Sequence, residues 1–148
     1  MLTQLYSDRL GHATVYVAGS SAEWETVSGC VEGLKKAGIL VTHDWTQQVR
    51  VARAEDKSNK DYPPSYRKTL AWDDLQGVLS ARFLWLVTPK GSTIGAWVEL
   101  GAAMASGKTI VVSGDASSCI FGSLADFHFD THEEALGFFT THLKSSGS

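Results

Sequence analysis

A doubly wound α/β domain, with a five-stranded parallel sheet and helices on both faces, is the fold class this sequence predicts. Three observations predict it. Short β-branched or apolar runs alternate with stretches of helical period; each such run ends in Gly, Ser, Asp or Thr-Pro; and Phe83 to Val87, FLWLV, carries no polar residue, as a strand covered on both faces requires. At 148 residues the chain suits one domain with a proper core, and residues 1–148 are read as a single unit.

Residues 1–13 are polar and aperiodic and receive no element. Thr14 to Ala18, TVYVA, reads as a buried strand entering the tight loop Gly19-Ser20-Ser21. A helix follows from Ser21 to Ala37, stopped by Gly38, and Ile39 to Thr42 is the second strand, completing a right-handed βαβ unit. Beyond His43-Asp44-Trp45 the chain turns polar, and residues 46–65, ending in Pro63-Pro64, read as a flexible active-site loop with a short helical piece around Val49 to Glu55. Ser65 then caps a helix to about Ala81. At 100° per residue Tyr66, Leu70, Ala71, Leu75, Val78 and Leu79 share one arc with Asp74 inside it, while Asp73 falls opposite and is solvated.

After FLWLV, the loop Thr88 to Gly91 opens a helix that Ser92 or Thr93 can cap and Gly107 can stop. Thr109 to Val112 is the fourth strand, ending at Ser113-Gly114-Asp115. Phe127 to Phe129 is a short fifth strand, and Thr131, with Glu134 at the capping-box position, starts a last helix to about Leu143. Residues 144–148 are a frayed tail. The economical strand order is the flavodoxin-like 2-1-3-4-5, which places ligands beyond the carboxyl ends of the strands, where the winding reverses. Gly19-Ser20, His43-Asp44-Trp45, Thr88 to Gly91 and Ser113 to Asp115 all lie at that edge.

Composition excludes several classes. A net charge of −3 with scattered lysines and arginines forms no basic stripe, so no nucleic-acid polymer is expected as a partner. No apolar run approaches the roughly 20 residues that span a bilayer, and the N-terminus lacks a signal-peptide pattern, so no membrane partner and a cytoplasmic location are expected. Cys30 and Cys119 have neither metal nor redox spacing and read as two buried thiols. Gly19-Ser20-Ser21 lacks the glycine spacing of a dinucleotide fingerprint, and no phosphate-cradling Gly-Lys-Ser/Thr loop exists. His128 and His132 straddle a strand-to-helix junction and are a poor zinc pair. No cofactor and no metal are expected.

The chemistry concentrates in GSTIGAWVELGAAMASGK, Gly91 to Lys108. Between Lys90 and Lys108 only Glu99 carries a charge, and Gly95, Ala96, Ala102, Ala103 and Ser106 surround it on the helical wheel. An ionised carboxylate removed from water unpaired costs several kcal/mol, so it must find donors or shift its pKa. Glu99 therefore either points outward, pairs with a structural arginine, or faces a ligand that approaches the helix closely across its small residues. Asp74 precedes strand three and Glu99 follows it, so both can flank one crevice. Two carboxylates at one sheet edge are equipment for breaking a bond at an anomeric carbon: about 5 Å apart, one is the nucleophile of a retaining mechanism and the other an acid or positioning group. The competing interpretation is two separate acids, each held by backbone donors.

Val15-Tyr16-Val17-Ala18-Gly19-Ser20, Asp74-Leu75-Gln76-Gly77-Val78 and Gly95-Ala96-Trp97-Val98-Glu99-Leu100-Gly101 with Gly107-Lys108 together resemble the nucleoside 2-deoxyribosyltransferase family and, more loosely, the related 2′-deoxynucleoside 5′-phosphate N-hydrolases. The likeness runs from Thr14 to Val112 and fades after Ser113. It implies N-glycosidic chemistry on a small-molecule nucleoside or nucleotide. Glu99 falls on the family's nucleophile, which attacks C1′ and holds the sugar covalently; Asp74 falls on the aspartate that assists at base or sugar, and Tyr16 on the tyrosine that hydrogen-bonds the nucleophile. It also implies a homodimer or larger homo-oligomer with sites completed across subunits.

Two departures bear on substrate. Thr93 stands where the transferases carry an aspartate, closer to the serine of the nucleotide hydrolases, and Ser21-Ala22-Glu23-Trp24 offers no counterpart of those hydrolases' phosphate-holding arginine. Gly19, Ser20, Ser92, Thr93 and Gly95 are the candidate substrate-binding positions at the helix starts, where hydroxyls either donate to a phosphate or simply cap. Asp44 and Trp45 complete the set: Trp45 stacks on a base or packs against the next helix, and His43-Asp44 is a proton relay or a polar pair before a loop. Trp24, Trp72, Trp85 and Trp97 read as core or subunit interface. A non-catalytic module that senses or sequesters a nucleotide-derived molecule is the alternative from a different class.

Overall fold

The computed structural model describes residues 14–143; the expected irregular N-terminus, 1–13, and tail, 144–148, lie outside them. Five parallel strands, β1 (Thr14–Ala18), β2 (Leu40–Val41), β3 (Phe83–Val87), β4 (Thr109–Ser113) and β5 (Phe127–Phe129), form one sheet in the order β2-β1-β3-β4-β5. The winding reverses between β1 and β3, which pair Val15 with Phe83 through Ala18 with Leu86. This is the doubly wound order read from the alternation of elements.

Five helices connect and cover the sheet: α1 (Trp24–Lys36), α2 (Thr46–Ala54), α3 (Pro64–Ser80), α4 (Gly95–Ala105) and α5 (His132–His142). β3 is buried along its whole length. Val27, Val31 and Leu34 of α1 and Ala135 and Phe139 of α5 join the same core as Val78 of α3 and Ala96, Leu100 and Ala103 of α4. Helices α1 and α5 touch each other, as do α3 and α4, so the central strands β1, β3 and β4 are closed off from water. Thr131 caps α5 by accepting from the Glu134 amide, as its spacing predicts.

Three local expectations differ. Residues 46–65, expected as a flexible loop with a short helical piece around Val49 to Glu55, are more ordered than that: the helix is there but runs nine residues as α2, followed by a 3₁₀ turn at Asn59–Asp61 and the start of α3. The reason is a cap: Asp44 accepts hydrogen bonds from the amide and hydroxyl of Thr46, so α2 starts at Thr46, with residues 42–45 between it and the end of β2. Helix α3 begins with Pro64 in the first turn instead of with a Ser65 cap. Neither Ser92 nor Thr93 caps α4, whose first flanking residue is Ile94 with no side-chain cap.

The apolar arc of α3 also behaves differently from its wheel. Only Gly77 and Val78 are fully buried, while Tyr66 and Leu79 are exposed. Tyr66, Leu70 and Ala71 line a cleft instead of a core, because α3 touches the sheet closely only near its C-terminal end.

Candidate active site

An open cleft of about 1470 Å³ lies beyond the carboxyl ends of β1, β2 and β3, the place the winding rule assigns to ligands. Its floor and walls come from Gly19 and Ser21 after β1, His43 and Trp45 after β2, Gln48 and Val49 of α2 with Asn59 beyond it, the α3 face from Tyr66 to Asp74, and the run from Lys90 to Glu99 after β3. Ser118 and Cys119 close one side. Cys119 is therefore half-buried at the cleft, in contrast to the buried thiol expected there, and Cys30 is buried.

Glu99 is only 8% exposed. The Tyr16 hydroxyl, from the buried centre of β1, donates to its Oε2. The other carboxylate oxygen makes no hydrogen bond among the described residues, and no buried side-chain oxygen there lacks a partner. That oxygen must therefore meet the cleft, which Glu99 lines. No lysine or arginine of the described residues pairs with it; the salt bridges all lie elsewhere.

Electrostatics follow from that placement. Burial pushes the Glu99 carboxyl up to about 8, the Tyr16 hydrogen bond opposes the rise, and Asp74 adds to it. Tyr16 is driven far above the ordinary tyrosine range by burial and then by the Glu99 and Asp74 charges, so it stays a neutral donor. Burial raises Asp74 to about 6, against the charge and hydrogen bond of His43, with Asp73 adding to the rise.

Asp74 reaches the cleft as its helical phase predicts, and the exposed Asp73 sits on the rim. The approach of α3 depends on Gly77. A Cβ there would lie 2.7 Å from His43 Cβ and 2.9 Å from Tyr16 Cδ2, distances that real side chains do not tolerate. The Thr42 hydroxyl, donating to the Gly77 carbonyl at 2.6 Å, ties the same turn to the end of β2. Gly19 plays a similar part at the end of β1, where a Cβ would lie 2.5 Å from Val27 of α1.

The structure separates the other candidate positions. Gly19, Trp45, Ser92, Thr93 and Gly95 line the cleft. The hydroxyls of Ser92 and Thr93 cap nothing, so they are available to a ligand. Ser20 is buried, and its hydroxyl accepts from the Ala22 amide at 3.2 Å, which makes it a cap. Asp44 is occupied away from the cleft. Burial raises its pKa, but hydrogen bonds from Thr46 and Gln47 and the charge of Lys35 bring it below the usual carboxylate range. Trp45 is 8% exposed and donates through Nε1 to the Val17 carbonyl at 2.8 Å, so it packs and offers only an edge.

Sequence reasoning assigned His43 the wrong partner. Its Nε2 lies 3.2 Å from Asp74 Oδ1, not against the adjacent Asp44. The available signal was its position, just past strand two at the ligand edge; nothing local could show that α3 crosses there. Arg67 and Lys90, the cleft's two basic side chains, were also unassigned. His128 and His132 lie apart from this site, their ring nitrogens contacting the Gly114 carbonyl and the Ser113 hydroxyl.

No protein-family model matches the chain, and no curated protein matches it. Among solved structures, its fold is similar to that of the Clostridium botulinum CMP N-glycosidase BcmB. The likeness covers 88% of this chain and 99% of that one at a TM-score of 0.53 and 15% sequence identity. At that identity the likeness is one of fold.

Proposed function

We propose that this protein cleaves or transfers the N-glycosidic bond of a nucleoside or nucleotide, with Glu99 as nucleophile at the anomeric carbon. The observation that carries this reading is the half-held carboxylate: Tyr16 orients one oxygen, and the other opens onto the cleft without a counter-charge. A carboxylate so placed is poorly solvated when ionised, which makes it reactive toward carbon and well suited to a developing oxocarbenium charge. Asp74, on the helix before β3, is a second acid lining the same cleft, and its charge bears on Glu99.

Attack of Glu99 on C1′ would release the base and leave a glycosyl ester on the carboxylate. Water or a second base would then resolve the ester, giving hydrolysis or transfer. The cleft exceeds the roughly 300–1,000 Å³ of an ordinary small-molecule pocket, leaving room for an acceptor beside the sugar. Ser92 and Thr93 supply free hydroxyls, and Lys90 and Arg67 supply positive charge for a substrate's polar groups or phosphate. The fold shared with a CMP N-glycosidase supports the same substrate class. Exposed apolar side chains on the paired helices α3 and α4, Trp72 at 53% and Val98 at 55%, support assembly into a homodimer or larger homo-oligomer.

The test is base release, followed by chromatography, from a panel of ribo- and deoxyribonucleosides and their 5′-monophosphates. Wild-type protein should release base from at least one member, and Glu99→Ala should lose that activity by several orders of magnitude while keeping its circular dichroism. Tight binding of a panel member recovered intact would instead identify a binding module.

A further inference from the structure

We infer that His43 is the proton donor to the departing base and that Asp74 serves it as the orienting carboxylate. The inference rests on the N-glycosidic reading above and assigns a role that reading leaves open. Its basis is the His43–Asp74 pair, formed between the end of β2 and the middle of α3, with Nε2 and Oδ1 3.2 Å apart and both side chains about one-third exposed (34% and 35%) to the cleft that Glu99 enters.

A neutral nucleobase leaves its sugar as an anion unless a proton reaches it as the bond breaks, and such assistance is what a positioned acid provides. Tyr16 cannot be that acid, because it is wholly buried, held to Glu99 and kept neutral by the charges around it. Glu99 must be ionised to attack. Asp44 is turned to Thr46, Gln47 and Lys35. Asp73, Tyr66, Arg67, Lys90 and Cys119 also line the cleft, but none of them joins an ion pair among the described residues, and the His43–Asp74 pair remains.

His43 Nε2 faces Asp74 Oδ1 at 3.2 Å, a contact that holds the ring in place, as a carboxylate behind a histidine does elsewhere. Its Nδ1 makes no hydrogen bond among the described residues and is the proton-bearing atom left for a ligand. The tight passage of α3 at Gly77 and the Thr42 hydroxyl bond to Gly77 hold the two elements in that register.

The step balances. A Glu99 oxygen forms the bond to C1′, the C1′–N bond breaks with its electron pair going to the base, and His43 Nδ1–H supplies the proton, leaving neutral imidazole. In the second half the imidazole takes a proton from the attacking water or acceptor base, the C1′–O bond to Glu99 breaks, and the imidazolium is restored.

The experiment compares wild type, His43→Ala and His43→Gln on two leaving groups: the natural base that wild type releases best, and a pyridinium N-glycoside of the same sugar. The pyridinium compound departs as neutral pyridine and needs no proton. Both variants should lose about 10²- to 10⁴-fold in kcat/KM on the natural base and less than about tenfold on the pyridinium compound. The basic limb of the kcat/KM profile should vanish with them. His43→Gln keeps a hydrogen bond to Asp74, so recovery of activity in that variant would show that His43 only positions α3. Equal losses on both leaving groups, or a basic limb that survives in both variants, would overturn the assignment while leaving Glu99 chemistry intact. Failure of wild type to release base from any substrate would overturn both readings.

Discussion

Replacing Glu99 with glutamine should make the protein more stable at neutral and alkaline pH while abolishing turnover. The amide oxygen still accepts the Tyr16 hydroxyl, so the change removes little except the ability to ionise. In the wild type, burial lifts the carboxyl from 4.5 to about 8 in the folded state. The folded protein thus holds this proton more tightly than the unfolded chain, and this group's contribution to stability is fully present below about 4.5 and lost as pH rises toward 8. At about 1.4 kcal/mol per pH unit, the full window amounts to roughly 5 kcal/mol, of which about 3 kcal/mol has been lost by pH 7.

Glutamine has no such dependence. Thermal melts of wild type and Glu99→Gln should nearly coincide at pH 4.5 and diverge by pH 7, where about 3 kcal/mol corresponds to roughly 6–12 °C for a domain of this size. Groups that do not interact with Glu99 cancel in the difference, so the divergence reports Glu99 together with its coupling to Asp74. Parallel pH dependences, or a variant less stable at pH 8 than wild type, would show that the carboxylate is well satisfied in the fold and would remove the reason to regard it as a reactive group.

Two further substitutions probe the geometry. Tyr16→Phe removes the hydroxyl that donates to Glu99; a hydrogen bond to a charged group contributes about 1.5–3 kcal/mol. The acid limb of kcat/KM should therefore move up by about one to two pH units, and activity at pH 7 should fall roughly 10- to 100-fold and recover toward higher pH; an unmoved limb would count against the hydrogen bond's role. Gly77→Ala puts a methyl group 2.7 Å from His43 and 2.9 Å from Tyr16, so α3 must retreat. Differential scanning calorimetry should show a loss of about 1–3 kcal/mol, and kcat/KM should fall at least tenfold with the spreading of the His43–Asp74 pair. Unchanged values would mean the turn at 77 has slack.

Strand positions and order were legible because wholly apolar runs such as FLWLV have one sensible place, the centre of a covered parallel sheet. Glu99 was legible for a related reason: a charge among small residues stands out without any tertiary knowledge. What could not be read depended on how separate segments meet. The polarity of residues 46–65 suggested a loop with only a short helical piece around Val49 to Glu55, but the Asp44 cap starts that helix earlier, at Thr46. Periodicity put Tyr66 and Leu70 on an inward arc, yet the same arc can face a cleft as well as a core, since both are one side of a helix. His43 sits beside Asp44 in sequence and across from Asp74 in space, and only the crossing of α3 at a glycine decides between them.

Asp44 and Glu99 show why burial of an acid is not by itself a sign of function. Asp44 is met by the amide and hydroxyl of Thr46, the amide of Gln47 and the ammonium of Lys35, and its pKa falls below the usual carboxylate range. An acid satisfied in that way stabilises the start of a helix and has nothing left to offer a ligand. Glu99 is more deeply buried, has one neutral donor, and is pushed upward by a second acid. The fold thus supplies orientation for its carboxylate but, among the described residues, no cation paired with it. A sugar that acquires positive charge at C1′ as its base departs would supply what is missing at the moment of reaction, so the interaction would be stronger in the transition state than with the bound substrate. That difference lowers the barrier, and it requires the empty site to leave this carboxylate unsatisfied.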